Sequence, residues 1–311
     1  MTPRVRNGIL FALLAAAGYA FFPIFTKLIY QYSDFGAVDI AGWRFMMAVP
    51  LAWLALYARN HTIGHPNPTE RLPRLQLLGL GVLLATGALA AFYGLALIEA
   101  GVYVMLFRTY PMMVLLLSMF LGESLPERAW LALLLVVVGV GMMILNPGQV
   151  NFELSSGYFI GIGVAFYNAI AIAFYNVIQQ RVIEGKQSKV KASAWTLTGS
   201  LLTMLPIMTF MGLAPFPNWQ TFFSVLGHAI VSTVVPLIAI YEGISRIGAS
   251  RFVLIGSVEP LMALIWAYLL FGEVLTPLQL GGGLLILLSI VVLEARFPRR
   301  RRATVAAAAG D

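Results

Sequence analysis

Residues 101–127 read GVYVMLFRTYPMMVLLLSMFLGESLPE, and residues 251–277 read RFVLIGSVEPLMALIWAYLLFGEVLTP. Each is an apolar run with a proline in its first half, a Gly-Glu pair at its end and a second proline shortly after. Tyr93, Ala100, Pro111, Gly122, Glu123, Leu125 and Pro126 parallel Tyr241, Ala249, Pro260, Gly272, Glu273, Leu275 and Pro277 at offsets of 148 to 151 residues. Gly8 with Gly157 and Lys27 with Asn176 keep the same register. A near-constant offset within one chain is the mark of an internal repeat. What the repeat means depends on how often each copy crosses a membrane.

Hydrophobic residues make up 60% and charged residues 11% of the 311 residues, and the mean hydropathy is +0.86. A bilayer is the natural solvent for such a chain. A helix needs about 20 apolar residues to cross it. Apolar segments run over 8–30, 38–58, 75–98, 101–121, 128–146, 157–178, 192–213, 220–244, 250–271 and 278–295, which predicts an all-α membrane protein of ten transmembrane helices. Each repeat then holds five. An odd-numbered repeat inserts in opposite orientations, so the halves form an inverted pair around a central cavity near the bilayer midplane. The division is 1–148 for the first half, 149–297 for the second and 298–311 for a basic tail.

Charge distribution orients the bundle. Arg4, Arg6, Arg59, Arg71, Arg74, Arg128, Arg181, Lys186, Lys189, Lys191, Arg246, Arg251, Arg296 and Arg299 to Arg302 all fall on one side of a ten-helix topology. Only Lys27 and Arg44 lie toward the other, and the loops 146–156 and 213–220 hold neither Lys nor Arg. Positive residues favour the cytoplasm, so both termini are expected there, in a bacterial inner membrane. The formal charge of +7 thus reflects orientation and not nucleic-acid binding. Cysteine is absent, which excludes disulfides, thiolate metal sites and cysteine nucleophiles. The apolar start, 1–14, has no small-residue cleavage pattern before Lys27 and reads as a retained helix.

The two Gly-Glu segments have a structural reading. Gly122 and Gly272 end helices, Ser124 and Thr276 cap the next ones, and Pro126 and Pro277 suit a first turn. Glu127, three residues after Ser124, has capping-box spacing. Glu123 and Glu273 are therefore expected at wet helix ends and not on substrate.

An ionisable side chain inside an apolar helix costs about 2.5–3.5 kcal/mol on insertion scales and marks function by default. Arg108 in the fourth helix, Glu259 in the ninth, His228 in the eighth and Arg44 in the second qualify. In repeat register Arg108 corresponds to Ser257 and Glu259 to Tyr110, so the two charges belong to equivalent segments and are placed to pair. Either Arg108 holds a substrate carboxylate while Glu259 holds an amine or a proton, or the two form a structural ion pair. Lys27 and Arg44 sit where long side chains snorkel to the interface. Lone His228 is either a neutral-range titrating group or a packing residue.

Together the paired motifs, Val258-Glu259-Pro260, Lys27 at the end of the first helix and Arg44 early in the second make the chain resemble the drug/metabolite transporter superfamily, and in it the EamA-type ten-helix exporters. The resemblance spans nearly the whole chain, with YddG-like amino-acid exporters as the nearest members. It implies two inverted five-helix repeats and export or exchange of amino acids or related metabolites. It also implies a cavity walled by the first, third, fourth and sixth helices. Tyr19, Phe22, Phe92, Tyr93, Tyr103, Phe107, Phe166, Tyr167, Asn168, Tyr175 and Asn176 lie on those helices. Aromatic rings suit apolar or planar substrate groups, and amides avoid lipid. Arg108 departs from the family, whose members more often carry an aromatic or small residue there. Glu259-Pro260 recurs in the family irrespective of substrate, which favours its structural reading.

The expected protein is a secondary transporter of small metabolites, amino acids first, working by alternating access on a small-molecule substrate with possible proton coupling, as a monomer or weak homo-oligomer. Nucleosides, sugar phosphates or cationic drugs are the other substrate classes. No Gly-x-x-x-x-Gly-Lys-[Ser/Thr] loop supports an ATP-driven pump. Three histidines, two of them His61 and His65 in one loop, leave a thin inventory for an intramembrane enzyme or a metal site. No ring of like charges suggests a channel. No cofactor is expected.

Overall fold

The computed structural model describes residues 2–62, 72–120, 127–144, 156–182, 189–248, 252, 255–256 and 258–294, and among these there are helices, turns and bends but no strand. The helices are α1 Pro3–Tyr32, α2 Ala37–Thr62, α3 Arg74–Leu97, α4 Ala100–Phe107, α5 Tyr110–Phe120 and α6 Arg128–Ile144. They continue with α7 Ser156–Val182, α8 Lys189–Met211, α9 Trp219–Ala229, a π-helical turn Ile230–Val234, α10 Val235–Ile247, α11 Glu259–Phe271 and α12 Pro277–Glu294. Seven spans are long and apolar enough to cross a membrane, and three shorter apolar helices, Arg128–Ile144, Glu259–Phe271 and Pro277–Val292, fall in the remaining apolar segments. Leu10, Leu54, Leu134, Val137, Leu205, Leu269 and Leu284 face outward. Helices apolar on the outer face as well as the inner are suited to lipid.

Two predicted helices are not continuous. The expected 101–121 helix breaks at Arg108-Thr109, where Thr109 N–H and its hydroxyl both donate to the Leu106 carbonyl, at 3.1 and 2.8 Å. Pro111 has no N–H and disfavours helical geometry at Tyr110, so the ladder restarts there. The 220–244 helix carries the π turn just ahead of Pro236, where the Thr233 hydroxyl donates 3.2 Å to the His228 carbonyl five residues back.

Packing joins helices distant in sequence. α1 lies against α10 and α11, α3 against α7 and α8, α2 against α8, α7 against α4 and α5, and α6 against α12. Contact between α3 and α8 is backbone to backbone: a Cβ on Gly81 would strike Gly199 and Ser200, and one on Gly199 would strike Leu78. The Ser200 hydroxyl donates 3.1 Å to the Gly81 carbonyl across this crossing. Small residues serve here as they commonly do between membrane helices. One apolar core gathers Phe45, Phe92, Leu197 and Met204, and a second gathers Tyr103, Leu106, Met143 and Ile286.

Gly272 ends α11 in the left-handed region at φ 67°, and α12 starts with a reciprocal cap. Thr276 N–H donates to Gln279 Oε1 at 3.0 Å while Gln279 N–H donates to Thr276 Oγ1 at 3.3 Å. The equivalent Gly122, Glu123, Ser124 and Pro126, the loop carrying His65 and the basic tail 298–311 lie outside the described residues.

Candidate functional site

A cavity of about 390 Å³ occupies the middle of the bundle. α1 contributes Tyr19 and Phe22, α2 Arg44, the α4–α5 break Phe107, Arg108 and Tyr110, α7 Asn168, Tyr175 and Asn176, the π turn Ser232 and Thr233, and α11 Glu259. Tyr103 of α4 completes that wall, its hydroxyl accepting from Asn168 Nδ2 at 2.7 Å. Tyr19, Arg108, Tyr110 and Glu259 also border a smaller space of about 170 Å³ beside Ala12, Ala15 and Ala16, so they partition the two.

Arg108 and Glu259 form an ion pair, with side chains 12% and 18% exposed. The break in the fourth helix brings Arg108 there, since it stands at the C-cap of α4, and Glu259 begins α11. Arg44 does not snorkel. It is 7% exposed, its Nε donates to Thr233 Oγ1 at 3.1 Å, and its guanidinium carbon lies 5.0 Å from the Phe22, 5.2 Å from the Phe45 and 5.6 Å from the Phe92 ring centre. Phe22 and Phe92 stack with centroids 5.5 Å apart. The cation rests on an aromatic floor.

Six residues expected in the site, Phe92 and Phe166 among them, are outside the cavity lining. Tyr93 and Tyr167 are each 49% exposed and outside the cavity lining. His228 is fully buried among Phe22, Phe25 and Phe92. Its Nε2 is 3.3 Å from Thr26 Oγ1, whose own proton goes to the Phe22 carbonyl at 2.9 Å, so Nε2 is assigned as the donor. Lys27 binds Glu273 at 2.7 Å. Glu273 Oε2 accepts from Ala100 N–H at 2.8 Å, a carboxylate at the start of α4 where the helix dipole favours it.

That contact belongs to a polar seam at one end of the bundle. Asp39 Oδ1 accepts from Ala214 N–H at 2.9 Å, Trp43 Nε1 donates to the Ala214 carbonyl at 2.9 Å, and Asn218 Nδ2 donates to the Tyr32 carbonyl at 2.6 Å. The cavity extends the other way, past Asn176, Ser193 and Ile240, toward the end that holds the start of α1.

Sequence reading passed over Ser193, Ser232, Thr233 and Tyr110, all of which line the cavity. Hydroxyls in apolar helices usually bond their own backbone and give no pattern. The one available signal was Pro236 following Ser232-Thr233, a place where a regular helix must adjust.

The sequence profile of the EamA-like transporter family matches residues 6–145 and again residues 159–294. The chain belongs to that family. An EamA-like transporter of the drug/metabolite transporter superfamily is a multi-pass membrane protein that carries a small molecule, and the relatives of this chain are named as transporters. An uncharacterized transporter of Archaeoglobus fulgidus is 26% identical over 236 residues, covering 74% of this chain and 77% of the relative. One of Synechocystis is 25% identical over 318 aligned positions, covering 92% and 93%, and one of Bacillus subtilis is 26% identical over 286, covering 88% of each. A solved crystal structure superposes with a TM-score of 0.62 at 15% identity, covering 92% of this EamA-like transporter and 96% of that chain, a likeness of fold.

Proposed function

We propose that this EamA-like transporter moves small metabolites, amino acids and related carboxylates first among them, across a bacterial inner membrane by alternating access of two inverted five-helix halves. The observation that carries this reading is the central cavity walled by residues from both halves, with the polar seam at one end of the bundle. Its volume of about 390 Å³ suits a small molecule, and its mixed aromatic and polar wall suits a planar or apolar body with a polar end.

Ten crossings follow from reading α4 with α5, α9 with α10, and α11 with the residues before it as single crossings. The pairing of α1 with α10 and α11 mirrors that of α7, its repeat counterpart, with α3, α4 and α5, which supports a two-fold relation. With both termini cytoplasmic, the seam of Lys27, Glu273, Asp39 and Asn218 is the outer end, and the cavity reaches the cytoplasmic side. A carrier collecting cargo inside the cell adopts such a state.

Counterflow tests this. Proteoliposomes preloaded with an unlabelled mixture of amino acids should accumulate a labelled member saturably, and uptake that stays linear with concentration and gains nothing from preloading would remove the carrier reading.

A further inference from the structure

We infer that the cavity holds a monoanionic carboxylate at Arg44, with the hydroxyls of Ser232 and Thr233 beside it, and that Arg108 is not the anion site. This rests on the carrier reading above and names the chemistry of its cargo.

The observation is a buried cation lacking its counter-charge. Lys27 faces Glu273, Arg108 faces Glu259 and Arg246 faces Glu242. Among the described residues no carboxylate pairs with Arg44, although it is 7% exposed in the middle of a bundle where an unpaired charge is costly. Phe22, Phe45 and Phe92 compensate through their ring faces, and Thr233 takes Nε, but neither supplies a negative charge. The terminal nitrogens have no hydrogen-bond acceptor among the described residues, and the side chain lines the cavity. Planar guanidinium donors match a carboxylate in two parallel hydrogen bonds.

A second, independent observation lies next to the first. Ser232 is fully buried, lines the same cavity, and its Oγ has no hydrogen-bond partner. A buried hydroxyl left unsatisfied calls for an explanation, and a ligand oxygen at Arg44 provides one. The π turn at Ile230–Val234 is what puts adjacent Ser232 and Thr233 both on the wall, and such turns recur at functional sites.

Charge decides the class. Because Arg108 and Glu259 neutralise each other, the described cavity wall carries one uncompensated positive charge, the complement of a carboxylate and not of a phosphate dianion. With Glu259 already paired, no free acid among the described residues of the cavity wall faces an ammonium group, so the amine of an amino acid is not required for binding. The aromatic floor beneath Arg44 and the nearby Phe107 and Tyr19 receive a planar or apolar body.

The test is a thermal-shift titration of the detergent-purified protein with 3-phenylpropionate, phenylalanine, 3-phenylpropionamide, phenethylamine and phenyl phosphate. The two carboxylates should stabilise the protein and the amide and amine should not; Arg44→Gln should weaken 3-phenylpropionate binding by at least about tenfold, with Arg44→Lys intermediate and Ser232→Ala weaker by about threefold. Should Arg44→Gln fail to give a cooperative melt, Arg44→Lys and Ser232→Ala carry the comparison. Equal stabilisation by the amide, tighter binding of phenyl phosphate, carboxylate binding unchanged in folded Arg44→Gln, or no response to either carboxylate overturns the inference. Counterflow of substrates that lack a carboxylate would leave the carrier reading standing while this one falls; carboxylate binding without counterflow would do the reverse.

Discussion

Lys27 Nζ lies 2.7 Å from Glu273 Oε1, so the last turns of α1 are fastened to the segment between α11 and α12. The same carboxylate receives the Ala100 N–H, and three elements therefore meet on one acidic side chain. In the proposed alternating-access cycle this contact opens when the cavity turns to the end of the bundle that holds the seam.

Lys27→Met should favour the outward-open state. The pair is partly exposed, so its loss is worth about 1 kcal/mol, or about fivefold in the population ratio. The protein has no cysteine, which makes a single reporter clean. Val104→Cys, on the cavity wall, should react about fivefold faster with an impermeant maleimide added outside once Lys27 is replaced. An unchanged rate would remove the latch.

Glu259→Gln removes the carboxylate charge that faces Arg108 and should lower stability by about 3 kcal/mol, whereas Arg108→Gln with Glu259→Gln should recover much of that loss. Melting in detergent reads both. Counterflow by the double variant, measured with and without a pH gradient, then asks whether Glu259 also carries a proton; transport that keeps its gradient dependence would clear it of that role.

Gly199→Ala places a methyl group on the Leu78 backbone and must push α3 from α8. Overpacking of this kind costs about 1–3 kcal/mol. A lowered melting temperature is the expected outcome, and Gly79→Ala, which meets nothing within 4 Å, is the control.

Asn168→Leu removes the donor to the Tyr103 hydroxyl while keeping volume. Interhelical hydrogen bonds in membranes average about 0.6 kcal/mol, so stability should barely move. A several-fold rise in the concentration for half-maximal transport, with little change in melting temperature, would mark the pair as cavity wall and not scaffold.

Legibility differed between the levels of the structure. Apolar segments were plain because crossing a bilayer imposes a length and a composition that any stretch must meet. The Gly-Glu-x-Leu signature was read correctly at Gly272 and Thr276, where local backbone rules apply within a few residues. Which way each helix turned was not legible. Tyr93 and Tyr167 were grouped with Tyr103 and Asn168, yet the first two face outward and the second two face each other.

The sequence by itself therefore determined that this is a helical membrane transporter with an internal repeat, and it singled out Arg44, Arg108 and Glu259 as charges inside apolar helices, while buried Glu242 gave no such signal. Hydrophobic length and repeated motifs are one-dimensional properties. Only the tertiary structure decided that Arg108 is answered by Glu259 and Lys27 by Glu273 while Arg44 lies against aromatic rings. Helices apolar on every side carry no moment that fixes their rotation, so glycine crossings such as Gly81 with Gly199, and breaks such as the one at Thr109, set which side chains meet.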